Sequence, residues 1–168
     1  QVSFAEALAD AQRLGYAEAD PTADVDGFDA QAKLAILIAV GLGRIVRVED
    51  IPLRSISSIA AVDFLYAKRL GCVIRQVARA ELMPDTGGIR AAVLPARVPE
   101  WSALGRVVGS QSIVVVDGTF GGGTAFSGLG AGGEPTAGAV VSDLLGIARG
   151  TPVTREAALP MGGEPQPV

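Results

Sequence analysis

AEADPTADVDGFDAQAKLAILIAVGLG, residues 17–43, is the stretch on which the fold and chemistry of this chain turn. It runs from an acidic loop marked by proline and glycine into an unbroken apolar segment. Glu18, Asp20, Asp24 and Asp26 lie in the first part with Pro21 and Gly27, where turn residues outweigh any periodicity. From Asp29 onward the pattern predicts a helix over about residues 29–40, closed by Gly41 and Gly43. After Lys33 the segment LAILIAV is apolar nearly all round, the pattern of a helix buried on most sides. Asp29 and Lys33 are four apart, so they stand one turn apart on one helix face. Asp29 also falls at the helix N-terminus, where the macrodipole favours a carboxylate. A lysine entering a core or cleft there would feel desolvation and a neighbouring carboxylate, which push its pKa in opposite directions.

Two arrangements fit this spacing. One is a solvated i,i+4 ion pair beneath a surface loop of acids, the commoner case on helices. The other is a pocket in which Glu18, Asp24 and Asp29 accept hydrogen bonds from a substrate's ammonium and hydroxyl while Lys33 transfers a proton.

Outward from this stretch the elements alternate. Residues 3–14 read as a helix, with Ser3 as cap, Glu6 completing a capping box, and Phe4, Ala7, Leu8, Ala11 and Leu14 as an apolar stripe. Gly15 follows at the position that favours a left-handed residue. A polar segment around Glu49 and Asp50 leads through residues 55–59 to a helix over 60–70, stopped by Gly71. Residues 72–83 and 89–98 read as strands, with Pro95 pointing to a strand end or an edge. Residues 101–108 read as a short helix, and SIVVV at 112–116 as a buried strand. A glycine-rich stretch covers 118–136, and a last helix spans 136–149 with Pro135 at its start. Residues 1–150 form one expected domain. Residues 151–168, rich in Pro and Gly, read as a flexible tail. The order of elements indicates an α/β (α+β) fold, a mixed β-sheet with helices packed on one face.

Composition removes several function classes. The 168 residues are 49% hydrophobic, enough for a packed core, but only 5% aromatic. The net charge is −4 with no basic run, which argues against nucleic acid as a partner. There is no histidine, so His-based triads and the usual zinc sites are excluded, and proton transfer falls to Lys, Asp, Glu or Tyr. Cys72 stands alone and reads as an inert core residue. The longest apolar run is far short of the roughly 20 residues that span a bilayer, and no basic, apolar leader opens the chain. A cytoplasmic location with no membrane partner is the expectation. The start without Met, almost inside a helix, suggests a processed product or part of something longer.

The pattern Ala11-x3-Gly15-Tyr16-Ala17-x2-Asp20-Pro21-x2-Asp24-Val25-x-Gly27-x-Asp29-x3-Lys33 resembles the signature of homoserine dehydrogenases, with each defining position filled. A second match lies at GLGAGGEPTAGAVVSDLL, residues 128–145, through Gly128, Gly130, Ala131, Gly132, Pro135, Thr136, Ala137, Ala139, Val140 and Asp143. By itself, a glycine-rich loop opening a helix suits an anion or cofactor and is equally a common structural turn. It is not a Rossmann fingerprint, which should follow a first strand.

The resemblance covers about residues 3–150 and implies a catalytic and dimerisation domain. Its reaction would be the NAD(P)-dependent interconversion of L-homoserine and L-aspartate 4-semialdehyde, with a homodimer as the expected assembly. It makes Lys33 the catalytic proton donor and Glu18, Asp24 and Asp29 the substrate-binding acids. It places Gly15 and Gly132 beside the cofactor. The family's N-terminal dinucleotide-binding domain, with a second catalytic lysine, has no counterpart here, and its monovalent-cation site matches no residues of this chain. The middle departs from the family. Pro52-Leu53-Arg54-Ser55-Ile56 stands where a Glu-Gly-Ile turn is common, and Trp101-Ser102-Ala103-Leu104 where His-Pro-Leu is frequent. The alternatives are a related amino-acid semialdehyde reductase and a non-catalytic dimerisation module.

Overall fold

The computed structural model describes residues 2–150. Helix α1, Phe4–Arg13, begins with the capping box its sequence implies. Ser3 Oγ accepts from Glu6 N–H at 3.2 Å, and the Glu6 carboxylate accepts from Ser3 N–H at 2.8 Å. The Ser3 backbone bond, then the Ser3 hydroxyl, hold the Glu6 carboxyl below its ordinary value. Leu14 closes the helix and Gly15 follows with φ +74°.

The acidic stretch is more ordered than a loop. Asp24 and Asp26 lie in a five-residue helix, α2, Thr22–Asp26, which starts after Pro21 and ends at left-handed Gly27. Helix α3, Phe28–Leu42, follows at once and ends at Gly43, with φ +61°, rather than at Gly41. Two 3-10 turns, Val48–Asp50 and Ile56–Ser58, precede helix α4, Ala61–Arg69. Strands β1, Cys72–Leu82, and β2, Ile89–Pro99, pair with each other. The six residues 83–88 joining them are too few for a parallel crossover, so the pair is an antiparallel hairpin. Strands β3, Gln111–Gly118, and β4, Gly122–Leu129, form a second antiparallel hairpin, in register from Gln111↔Leu129 to Gly118↔Gly122. Helix α5, Gly133–Ala148, ends the described chain. The class is α/β (α+β), as expected, with the four strands set out as two two-stranded sheets. The tail at 151–168 lies outside the described residues.

The described residues fall into two compact units. The first comprises residues 21–58 and 76–95. Its core is Leu34 and Ile38 from α3, Ile51, and Val93 from β2, bordered by Ala30, Val46, Leu53 and Ala91 among others. Backbone bonds lock the β2 end of this core. Val93 N–H donates to Pro52 O at 2.8 Å, and Arg54 N–H donates to Val93 O at 2.9 Å. Leu53 thereby makes a parallel bridge to Val93. Pro95 lies beyond that bridge, where its missing N–H costs no ladder bond.

The second unit comprises residues 2–20, 59–75 and 96–150. Ala67 and Val98 are buried within it. Residues 101–108 form turns rather than the expected short helix. Ser102 is the reason: its Oγ donates to Pro99 O at 2.7 Å and accepts from Gly105 N–H at 3.0 Å, a local alternative to helical bonding. Arg75 then ties the turn down, its Nη2 donating to Gly105 O and Val107 O at 3.1 and 2.6 Å. β3 was expected to be buried and is almost wholly exposed. Cys72 is half-buried and free.

Helix α3 also departs from the buried-all-round expectation. Only Gln31, Leu34 and Ile38 are buried, whereas Ile36 is 63% and Val40 78% exposed. Ile38→Ala should therefore lower the unfolding free energy by about 2–5 kcal/mol, the cost of emptying a packed site. Ile36→Ala should stay within about 0.5 kcal/mol. Urea denaturation of both variants reads the difference; equal losses would mean that α3 presents another face to its core.

Candidate active site

Asp29 and Lys33 are placed by a single bend. Gly27 leaves α2 with φ +91° and ψ 11°, a conformation glycine adopts freely and an L side chain does not. A Cβ there would also meet Gln76 Nε2 at 3.0 Å and Val93 Cγ1 at 3.5 Å. The bend starts α3 at Phe28 and sets the rotation of that helix about its axis.

That rotation is fixed from the inside by Gln31. Its Nε2 donates to Ile51 O at 2.6 Å in a buried bond, and its backbone N–H donates to Gly27 O at 2.9 Å. Gln31, Leu34 and Ile38 form the inward stripe at helical spacing. Lys33 lies about 200° round the helix from Gln31, so it faces outward. Lys33 Nζ donates to Asp29 Oδ2 at 2.6 Å, with the lysine side chain 65% and the aspartate 45% exposed. The cleft burial expected for Lys33 is thus absent in this chain. Solvent reaches the pair, and the contact by itself contributes no more than an ordinary exposed helix pair.

Asp24 sits half-buried in the first turn of α2, in the same unit as Asp29 and Lys33. The structure brings Asp29 and Lys33 into direct contact and carries Asp24 on the adjoining helix. Glu18, Gly15 and Gly132 belong to the other unit. Glu18 is exposed, and its backbone carbonyl accepts from Gln12 Nε2 at 2.9 Å, which pins the segment after α1.

Gly15 and Gly132 both have positive φ, at +74° and +106°. A Cβ on Gly15 would point into open space, and one on Gly132 would meet Pro135 Cδ at 3.7 Å. At both points the backbone can be approached closely. Gly132 also caps α5, its carbonyl accepting from Thr136 Oγ1 at 2.9 Å. Pro135 is the third residue of α5, which begins earlier than expected. The glycine-rich stretch before it contains β4, and Gly130, just after that strand, packs close against the Ser112 side chain, which a Cβ there would displace.

The supporting residues Gln31, Ser55 and Gln76 were not singled out from sequence. Gln31 was accessible: counting back three positions from the Leu34 and Ile38 stripe lands on it. Ser55 and Gln76 come from distant segments, and no local pattern marks them. Among the described residues no group of three or more Asp, Glu, Cys or His side chains could hold a metal ion. No helix among them is long and apolar enough to cross a membrane.

Comparison with known proteins gives one consistent answer. The family model described as homoserine dehydrogenase matches residues 1–145. The homoserine dehydrogenase of Synechocystis is 46% identical over 146 residues, covering 86% of this chain and 34% of that protein. That of Bacillus subtilis is 41% identical over 144 residues, covering 86% and 33%. A crystal structure of Staphylococcus aureus homoserine dehydrogenase at pH 6.5 superposes with a TM-score of 0.80 at 35% identity, over 98% of this chain and 40% of that one. A hyperthermophilic archaeal homoserine dehydrogenase mutant in complex with NADPH gives 0.67 at 27% identity, covering 92% and 43%. The chain spans about a third of the length of the curated relatives it matches. On the fold, the filled signature and these matches together, the chain belongs to the homoserine dehydrogenase family.

Proposed function

We propose that this chain is the substrate-binding and catalytic part of an NAD(P)-dependent homoserine dehydrogenase. It would interconvert L-homoserine and L-aspartate 4-semialdehyde in the cytoplasm, a step toward threonine, methionine and isoleucine. The observation that carries this reading is the Asp29–Lys33 contact at 2.6 Å, set beside left-handed Gly27 within a fully matched signature.

In the reducing direction the substrate's aldehyde oxygen gains negative charge and then a proton. Lys33 Nζ, an ammonium held by Asp29 Oδ2, supplies that proton as general acid. With Oδ2 occupied, Asp29 Oδ1 serves as an acceptor for a donor on the substrate. The resemblance adds Asp24 and Glu18 as further acids for the substrate's amino and hydroxyl ends. In the oxidising direction Lys33, deprotonated, takes the proton back.

NAD(P), when bound, supplies the two-electron redox chemistry at the substrate carbon. Gly15 and Gly132 would lie beside such a group, as the resemblance implies; each has a positive φ and leaves its backbone open to close approach. A monovalent-cation site has no residues assigned to it in this chain.

A homodimer belongs to the same proposal. Val116, Phe126 and Leu129 on the β3–β4 hairpin and Val140, Val141 and Leu144 on α5 are exposed large apolar residues. Apolar groups in such number on one unit are typical of contact surfaces. Sedimentation equilibrium should give twice the 17.1 kDa of the chain; a monomer at micromolar concentration would remove the dimer from the account.

The isolated 168-residue chain should not oxidise NADPH with the semialdehyde, because no dinucleotide-gripping motif is assigned within it. Robust turnover by it would overturn that part of the reading. Joined to a dinucleotide-binding part, the chain should turn over, and Lys33→Ala should lower kcat by about 10²–10⁴-fold with an unchanged circular dichroism spectrum. Near-normal turnover in Lys33→Ala would remove Lys33 from its role.

A further inference from the structure

Helix α2 carries Asp24 and has little support of its own. It has five residues, no side-chain N-cap bond and no fully buried residue. A single turn of helix is unfavourable to nucleate and leaves its C-terminal carbonyls without helical partners. The Val25 carbonyl is one of these, and it is met from thirty residues away. Ser55 Oγ donates to Val25 O at 3.1 Å in a part-buried bond. Ser55 Oγ also lies 2.8 Å from Ser57 Oγ and 3.1 Å from Ser57 N.

The proton count fixes the direction of these bonds. Ser55 has one hydroxyl proton, and Val25 O, which has none to give, takes it. The Ser57 hydroxyl must therefore donate to Ser55 Oγ, and Ser57 N–H fills the second lone pair. The Ser55 hydroxyl is then fully satisfied, with one bond given and two received, so its direction toward α2 is locked. Backbone bonds anchor the other side: Arg54 N–H donates to Val93 O at 2.9 Å, next to the core. A continuous line runs from Val93 through Arg54 and Ser55 to the C-terminal end of α2, one residue short of the Asp26–Gly27 bend.

We propose that the Ser55–Ser57 hydroxyl pair is a latch that positions α2, and with it Asp24, for substrate. Ser55 is a positioning residue that touches no substrate. The inference rests on the substrate role given to Asp24 above, and its first test does not need that role.

Amide hydrogen exchange in the 168-residue chain reads the latch directly, at α2 amides such as Val25 N–H, which bonds to Pro21 O at 2.8 Å. Ser55→Ala should speed exchange there about three- to tenfold, the value of one lost hydrogen bond, and leave α3 amides near Ile38 unchanged. Ser55→Thr keeps the hydroxyl and should restore protection. Ser57→Ala should give a smaller acceleration at the same amides, and it carries the test if Ser55→Ala fails to fold. Wild-type exchange at α2 in the variants that fold overturns the latch. In the turnover-competent chain, Ser55→Ala should raise KM for L-homoserine several-fold with kcat nearly unchanged, and Ser55→Thr should reverse it. Faster α2 exchange with an unchanged KM would overturn the link to Asp24 while leaving the latch. Absence of turnover in the unsubstituted chain joined to a dinucleotide-binding part would count against the proposed function instead.

Discussion

At Gly27 the backbone turns through φ +91° in a space already bounded by Gln76 Nε2 and Val93 Cγ1. Both halves of the constraint matter. The left-handed conformation lets one helix stop and the next begin without a linker, and the tight surroundings fix where that happens. Because α3 starts at Phe28, its second and third turns deliver Leu34 and Ile38 to Ile51 and Val93, and its first turn delivers Gln31 to the Ile51 carbonyl. The opposite side then carries Asp29 and Lys33. One residue more or less at the bend would rotate the helix by about 100° and exchange the two faces. The core of this unit and the orientation of its lysine are therefore consequences of the same bend.

Much of the fold was legible in the chain. The Ser3–Glu6 box, the left-handed glycines after α1, α3 and α4, and the two long strands β1 and β2 all carry local signals: a cap, a stop, an alternation. The parts that were not legible fail for physical reasons. LAILIAV is apolar on every side, so it has no moment to say which side is inward, and the answer came from Gln31 and from Ile51 and Val93 further along the chain. β4 reads GGTAFSGL, poor in β-branched residues, and becomes a strand only because β3 supplies its register. Residues 101–108 have helical composition, but Ser102 competes for the backbone.

For the candidate site the division is similar. Spacing alone favoured a surface ion pair over a catalytic pair, and the geometry by itself gives a solvated contact. Family membership rests on the signature and on relatives three times as long. The exposure of Lys33, of Ile36 and Val40 on the same helix, and of the apolar residues of α5 describes a chain with much apolar surface open to solvent. The proton transfer proposed for Lys33 would gain from exclusion of water, because a drier site strengthens its attraction to a developing alkoxide. Substrate, cofactor and neighbouring protein surface would each contribute to that exclusion.

The central claim is that the bend at Gly27 presents a homoserine site. Titrating L-homoserine into the nitrogen-15-labelled chain and following backbone amides tests it most directly. Saturable shifts should group at Asp24, Gly27, Asp29 and Lys33, weakened in Asp29→Asn and absent with n-butanol, which has the hydroxyl and lacks the ammonium. Shifts confined to other parts of the chain, or none at saturating homoserine, would contradict it.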